Sequence, residues 1–300
     1  MCGIVGLFLK NPALEPDLGR HLAAMLEMMT DRGPDSAGFA VYGQPGADGV
    51  GKITLRVAPG FDHAALQAAL ADKLGAAVEI TPRGTHLVVE VPEDVIEAAT
   101  AAIGTLAPGA SVVSAGRRME VYKEVGLPAD VARAFGLAGM AGSHGIGHTR
   151  MATESAVTTA GAHPFSTGLD QCLVHNGSLS NHNQLRRRLK REGQSFETEN
   201  DSEVAAGYLT SRLAKGDNLG EALTAALVDL DGFFTFVVGT ETGFGVLRDP
   251  IACKPAVMAE TDDWVAFGSE FRALAALPGI ETARLFEPEP ATVYFWERHQ

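Results

Sequence analysis

Two periodicities alternate along the chain and predict a mixed fold of short strands and amphipathic helices. Apolar residues recur every three or four positions over residues 17–29 and again over 219–230, which predicts helices with one buried face. Short apolar runs bounded by Gly and Pro predict strands, first within residues 1–8 and then repeatedly between 233 and 296. A short helix is predicted at 270–276. Many strands with helices gathered between them indicate an α+β fold of packed layers.

Residues 52–115 show a self-contained apolar pattern of strands and helices, which predicts an inserted subdomain. A Gly-rich stretch at 43–51 leads into it. The apolar pattern then predicts strand, helix, strand, strand, helix and strand, placed at 53–57, 62–74, 77–80, 86–91, 92–106 and 111–113. This βαββαβ order is that of a small ferredoxin-like module. The alternative is that the same elements extend the main sheets.

Composition narrows the class of protein. The 300 residues are 46% hydrophobic, which suits one large domain or one domain with an insert. The net charge of −13 disfavours binding to nucleic acid or to an anionic membrane. Three widely spaced cysteines offer neither a disulfide framework nor a metal-binding pair, and the histidines lack metal-site spacing. With no long apolar run and no secretory signal pattern, we expect a cytoplasmic protein without a metal.

The N-terminus carries the first candidate for chemistry. Cys2 follows the initiator Met and leads into an apolar strand. If Met1 is removed, as we expect for the active form, Cys2 combines a thiol with a free α-amine whose pKa is ordinarily about 7.7–8.0. A nucleophile with a base on the same residue needs no histidine partner. The alternative is an ordinary strand in which Cys2 is a small hydrophobic residue.

Further candidates follow the strands of the second half. The stretch GHTRMATES at 147–155 contains Arg150 and Thr153. A predicted strand at 171–174 ends in His175-Asn176-Gly177, which is either a tight turn or an oxyanion hole built from the Asn side chain and the Gly amide.

The start of the next predicted helix offers a ligand for a cation. Asn200 and Glu203 fit a capping box, so Asp201 is left able to bind an ammonium group; complementing the helix dipole is its alternative role. Two sets of basic residues are interpreted as solvated by default. Arg32 is expected to be an exposed helix-end charge, and the basic helix at 181–192 is expected to be a solvated face or a docking site for an acidic partner.

Taken in order, these motifs resemble a known family. MCGIVG, DRGPDSAG, GHTRMAT, HNG, ENDSE and the later RDP…KP stretch are similar to the class II glutamine amidotransferases, which are N-terminal-nucleophile (Ntn) hydrolases. The resemblance covers residues 1–300 as one type-2 amidotransferase domain, apart from the region around 43–115. It implies a four-layer αββα sandwich with two antiparallel sheets.

The resemblance also implies roles for seven residues. Cys2 would attack the side-chain amide of L-glutamine, with Asn176 and Gly177 stabilising the oxyanion. Arg150 would hold the substrate α-carboxylate and Asp201 its α-ammonium. The positions near the pocket wall are Thr153 and His163. The thioester on Cys2 would be hydrolysed to glutamate, and ammonia would leave for a synthase site.

A finer resemblance concerns the role of the whole chain. Its length without a fused synthase resembles the separate glutaminase-like subunit of glutamate-synthase-type complexes, such as N-methylglutamate synthase. This implies a hetero-oligomer, no cofactor on this chain, and FMN or iron–sulfur groups on partner subunits. The chain departs from glucosamine-phosphate-forming relatives, which read HTRWATH, at Met151 and Glu154. The alternatives are a stand-alone amidase acting on another γ-glutamyl amide and a non-catalytic regulatory module.

Overall fold

Three antiparallel sheets organise the part of the chain that the computed structural model describes, residues 2–43, 49–152 and 157–298. Their strands, in chain order, are β1 (Gly3–Leu9), β2 (Ser36–Tyr42), β3 (Val50–Arg56), β4 (Glu79–Arg83), β5 (His86–Pro92), β6 (Ser111–Gly116), β7 (Met119–Val125), β8 (His144–Arg150), β9 (Phe165–Gly168), β10 (Gln171–Leu179), β11 (Gly232–Gly239), β12 (Gly243–Arg248), β13 (Val257–Glu260), β14 (Trp264–Gly268), β15 (Arg284–Phe286) and β16 (Thr292–Glu297).

The α-helices are short and amphipathic or buried. In chain order they are α1 (Leu18–Glu27), α2 (His63–Leu74), α3 (Ile96–Leu106), α4 (Pro128–Ala134), α5 (His182–Arg191), α6 (Asp201–Ala214) and α7 (Leu219–Asp229). The helix predicted at 270–276 is wrong, because this stretch forms only a single 3₁₀ turn at Phe271–Ala273. None of the helices in the described ranges is long and apolar enough to cross a bilayer.

Two large sheets face each other and form what we call the body, together with the helices packed on them. The seven-stranded sheet has the order β15-β13-β14-β1-β8-β2-β7, and the five-stranded sheet has the order β16-β12-β11-β10-β9. Strand β1 lies at the centre of the first sheet and is buried along its whole length. This central position explains why its sequence is an unbroken apolar run.

Alternation along the strands divides the core of the body into layers. Val5 and Leu7 of β1 pack in the same cluster as residues of α1 and α4, whereas Ile4 and Phe8 pack against the five-stranded sheet. On the far side of that second sheet, a separate cluster joins β9–β12 to α5, α6 and α7. Residues of β1 with even numbers therefore face the space between the sheets.

The insert is a third, four-stranded sheet with the order β4-β5-β3-β6. Helices α2 and α3 cover one face, where Leu70 and Ile103 pack on Val89. The other face lies against the body, and Lys52 of β3 pairs with Glu120 of β7 at 2.7 Å. The insert leaves and rejoins the body between two neighbouring strand ends, since β2 and β7 are antiparallel partners. The structure has its elements in the order β3, α2, β4, β5, α3, β6.

The predicted tight turn at Asn176-Gly177, one of two alternatives, is wrong. Strand β10 continues through these residues to Leu179, and they pair with Thr235 and Phe234 of β11. Asn-Gly favours a turn locally, but the hydrogen-bonded ladder to β11 decides the conformation. Asn176 and Gly177 are therefore held in a sheet rather than in a mobile loop.

Candidate active site

Cys2 lies immediately before β1, at the N-terminal end of the central strand of the seven-stranded sheet. Its position continues the alternation of Ile4 and Phe8, so Cys2 lies on the side that faces the five-stranded sheet. The residue is partly exposed and forms no disulfide. Its carbonyl oxygen accepts two hydrogen bonds, from Arg32 Nε at 3.0 Å and from Asn176 Nδ2 at 3.2 Å. The two sheets are thus joined at the backbone of the candidate nucleophile.

Asn176 and Gly177 lie opposite Cys2 on β10. Asn176 has the same parity as Cys172 and Val174, which face the seven-stranded sheet, and this explains why its amide reaches Cys2. Gly177 has a φ of +154°, and a Cβ there would lie 2.0 Å from the carbonyl oxygen of Phe233. Only glycine fits this close approach of β10 to β11. The structure therefore brings the predicted oxyanion residues next to Cys2.

Arg150 is the last residue of β8, beside the start of β1. Gly3 pairs with Thr149, so one further step of the same register sets Arg150 opposite Cys2. Arg150 is only 7% exposed, and it shares a face with Ile146 and so points toward the five-stranded sheet. The register and the alternation together place the buried Arg150 side chain on the same face as Cys2, on the neighbouring strand.

Three other residues of the GHTRMATES stretch have different outcomes. Thr153, a predicted pocket residue, lies outside the described residues, as does Glu154. Met151 is exposed, at 37%. Of the two positions that depart from the HTRWATH pattern, Met151 is therefore the described one, and it lies at the surface next to Arg150 in the sequence.

Three buried histidines, His148, His163 and His175, contact one another between β8 and β10. His148 and His163 stack with their ring centroids 4.0 Å apart, and His148 Nε2 donates to the carbonyl oxygen of His175 at 3.1 Å. Burial lowers the pKa of His148 to about 3 and lowers the pKa of His163 well below its ordinary value. Both rings are therefore neutral at physiological pH. The structure places His163, a predicted pocket residue, against His148 and Phe165.

Asp201 is the first residue of α6 and reaches β10. Its Oδ2 accepts from the backbone amide of Leu179 at 2.9 Å, and its Oδ1 lies 3.7 Å from His175 Nδ1. As predicted, Asn200 is the N-cap, since its side chain accepts from the amide of Ser202. These contacts link Asp201 to the strand that carries Asn176.

The predicted capping box at the start of α6 is wrong. The carboxylate of Glu203 does not reach back to Asn200 but accepts from the amides of Glu197 and Thr198 at 2.7 and 2.8 Å. Asn200 caps the helix alone, and Glu203 instead fixes the turn that precedes it.

The expectation that Arg32 is a solvated charge is wrong. Arg32 is 8% exposed, and besides its bond to Cys2 its Nη1 pairs with Glu270 Oε1 at 2.7 Å. The hydrogen bond from Arg32 is the main cause that lowers the pKa of Glu270. A Cβ on Gly33 would lie 2.4 Å from the backbone of Thr149, so the glycine lets this turn approach β8.

In the described ranges no group of three or more His, Cys, Asp or Glu side chains is arranged to hold a metal ion. The chemistry that these side chains offer is that of a thiol, amide donors, a buried guanidinium and a carboxylate. This set can attack a carbonyl, stabilise an oxyanion and bind the two charged ends of an amino acid.

Comparisons with known proteins agree with this chemistry. Residues 148–276 match a family described as glutamine amidotransferase domain. The glutamine amidotransferase-like protein GlxB of Rhizobium meliloti is 63% identical over 301 residues, which span 100% of this chain and 99% of that protein. A putative glutamine amidotransferase of Methanothermobacter thermautotrophicus is 34% identical over 98% of this chain and 99% of its own length.

A solved structure has a similar fold. The glutamine phosphoribosylpyrophosphate amidotransferase of B. subtilis superposes with a TM-score of 0.62 at 19% identity, covering 99% of this chain. This chain spans 47% of that enzyme's length. At this identity the likeness concerns the fold alone, a mixed α/β fold with several antiparallel sheets.

Proposed function

The chain belongs to the class II glutamine amidotransferases, and from that premise we propose that it is a glutaminase subunit that delivers ammonia to a partner synthase. The substrate in this proposal is L-glutamine, and the bond that breaks is the C–N bond of its side-chain amide. The observation that carries the proposal is the hydrogen bonding of the Cys2 carbonyl oxygen. It accepts from Arg32 Nε at 3.0 Å and from Asn176 Nδ2, on the facing sheet, at 3.2 Å.

The proposed reaction starts at Cys2 once Met1 has been removed. The α-amine accepts the thiol proton, and the sulfur attacks the amide carbon of glutamine. The negative oxygen of the tetrahedral intermediate is stabilised by the Asn176 side chain and the Gly177 amide. The proton returns to the leaving nitrogen, ammonia departs, and a glutamyl thioester remains on Cys2. Water then attacks the thioester carbon, which releases glutamate and restores the thiol.

Specificity for a free amino acid comes from the charged residues around Cys2. In the proposal the guanidinium of Arg150 binds the α-carboxylate, because a planar fork matches a planar anion. Asp201 binds the α-ammonium, and His163 contributes to the pocket wall; the same role is proposed for Thr153 from the sequence motif alone. The support for Arg150 is its buried position opposite Cys2 in the β1–β8 register.

Replacing the nucleophile tests the reaction. Cys2→Ala removes the sulfur, so release of ammonia from glutamine should fall by at least about 10³-fold while the circular dichroism spectrum stays that of the wild type. Cys253→Ala is the matched control, because Cys253 is an exposed cysteine outside the site. Equal rates for the wild type and Cys2→Ala would refute the proposed reaction.

The partner needs a separate experiment. Affinity purification from the native cells should recover a synthase chain, with flavin absorbance if that partner carries FMN. If the chain instead purifies alone and hydrolyses glutamine at its full rate without a partner, the stand-alone amidase is the better description.

We also infer the domain organisation that goes with this function. Residues 1–300 form one type-2 amidotransferase domain with a four-layer αββα arrangement, and 52–115 form a ferredoxin-like subdomain inserted in it. The support is the three clusters of apolar residues across the body and the separate cluster within the insert.

A further inference from the structure

A cavity of about 720 Å³ lies between the insert and the body. The insert contributes β6 and part of α3 to its wall, and the body contributes Lys123, strand β9 and the segment before α6. Neither Cys2 nor Arg150, Asn176 or Asp201 lines it. Its volume is in the range of cavities that bind small molecules, roughly 300–1,000 Å³. These four residues of the candidate active site therefore lie outside the cavity wall.

Polar atoms on the cavity wall lack partners. Ser114 is 3% exposed, and its hydroxyl has no hydrogen-bond partner among the described residues. The same is true of Arg56 Nε. Both residues belong to the face of the insert sheet that lies toward the body, where Ser114 pairs with Thr54 and Ser111 with Arg56. A buried donor without a hydrogen-bond partner costs free energy. A ligand that supplies acceptor atoms to Ser114 Oγ and Arg56 Nε would remove this cost.

Two cations line the cavity without an ion-pair partner in the described ranges. Lys123 is 8% exposed, and its Nζ donates only to carbonyl oxygens, those of Ala160, Ala162 and Pro164. Burial is the main cause that lowers the pKa of Lys123 to about 8; the carboxylates of Glu203 and Glu197 oppose this shift, and the like charge of Arg56 adds to it. An anion placed between the two cations would relieve this repulsion.

Carboxylates on both walls limit how much negative charge fits in the cavity. Glu97, Glu197 and Glu203 also line the cavity. Glu203 already accepts from two backbone amides and from the hydroxyl of Thr198. Glu97 and Glu197 retain capacity for a donor, so they would repel a polyanion and tolerate a monoanion or a zwitterion.

We propose that this cavity binds a small carboxylate-bearing metabolite of net charge zero or minus one, with its carboxylate at Arg56 and Ser114. The rest of the ligand extends past Phe165 toward the Glu197 wall. This inference goes beyond the proposed glutaminase activity and does not depend on it, since none of the described residues of that reaction lines the cavity.

Isothermal titration calorimetry tests the site. The probes are benzoate, L-lactate and L-leucine as carboxylates and inorganic phosphate as a polyanion. At least one carboxylate probe should bind saturably at one site per chain. Arg56→Gln should weaken that binding by at least roughly tenfold, because it removes a charged hydrogen bond. Ser114→Ala should weaken it less. Lys73→Gln is the matched control, since it removes an exposed cation from the same insert.

Three results would overturn the inference. The first is that no carboxylate probe binds at millimolar concentration, and the second is that phosphate binds more tightly than every carboxylate. The third is that Arg150→Gln abolishes binding, which would assign the signal to the glutamine site and leave the proposed function untouched. If Arg56→Gln does not fold, Arg56→Lys decides, because it keeps the charge, loses the planar fork and should still weaken binding.

Discussion

At the scale of single residues, the position of Cys2 depends on a chain of charged contacts that begins at the surface. Arg272 pairs with Glu270 at 2.7 Å, Glu270 pairs with Arg32, and Arg32 donates to the Cys2 carbonyl. A nucleophile at a chain terminus has backbone neighbours on one side only. Side chains must therefore hold it, and Arg32 and Asn176 do so from two directions.

Arg32→Gln should lower kcat for glutamine hydrolysis by roughly 10–100-fold with little change in KM. The substitution removes the charged hydrogen bond that holds the nucleophile and leaves Arg150 in place for the substrate. Arg20→Gln is the control, because Arg20 is an exposed arginine of α1 whose contacts are with Asp17 and its neighbour His21 rather than with Cys2. Steady-state kinetics measure both parameters. A rise in KM at unchanged kcat would assign Arg32 to substrate binding instead.

The buried histidines make stability depend on pH. Burial lowers the pKa of His148 to about 3, whereas the unfolded chain has a histidine pKa of about 6.5. Between these values the unfolded state binds one more proton than the folded state. The contribution of neutral His148 is therefore complete above pH 6.5 and is lost as the pH falls toward 3.

His148→Gln should make stability less sensitive to acid. Gln can still donate to the His175 carbonyl but does not titrate. Between pH 6 and 5 the free energy of unfolding should fall less steeply than in the wild type, by about 1 kcal/mol per pH unit. Urea unfolding at a series of pH values measures this slope. His63→Gln, on the partly exposed start of α2, should leave the wild-type slope; an unchanged slope in His148→Gln would mean that His148 already carries a proton.

At the scale of elements, the shape of β10 depends on one glycine. Gly177→Ala should lower the free energy of unfolding by at least about 2 kcal/mol, since the residue has positive φ and its Cβ would meet the Phe233 carbonyl. Gly193→Ala is the control, because Gly193 has a φ of +96° and open space around it, which isolates the conformational cost of about 1 kcal/mol. Chemical denaturation measures both. Equal losses would show that the close approach of β10 to β11 relaxes freely.

The elements also show what the sequence can predict. Local signals located β1, α2 and the strands of the insert within a few residues, because apolar periodicity and capping residues act over short distances. They failed where distant partners decide. Strand β10 runs on past His175 because β11 pairs with it, and Glu203 leaves the capping box because the amides of Glu197 and Thr198 compete for it.

The same reasoning applies to the candidate site. Sequence motifs identified Cys2, Arg150 and Asn176 as candidates. The alternation of side chains along the strands places all three on the side that lies between the two large sheets. Arg32 was misinterpreted because its partner Glu270 is 238 positions away along the chain. No local pattern carries that information.

At the scale of the whole molecule, two neighbouring valines distinguish the insert from its attachment to the body. Val88 packs with Tyr122 and Phe135 of the body, whereas Val89 packs inside the insert against α2 and α3. Both are at most 5% exposed, so they form a matched pair that differs in the face of β5 on which they lie.

Val88→Ala and Val89→Ala should each lower the free energy of unfolding by roughly 1.5–3 kcal/mol, since each deletes two buried methyl groups. The location of the effect should differ. Hydrogen exchange should increase along β7 and α4 in Val88→Ala, and within α2 and α3 in Val89→Ala. Mass spectrometry of peptides after exchange separates these regions. The same exchange pattern in both variants would mean that the insert and the body unfold as one unit, and then residues 52–115 would not be a subdomain with a core of its own.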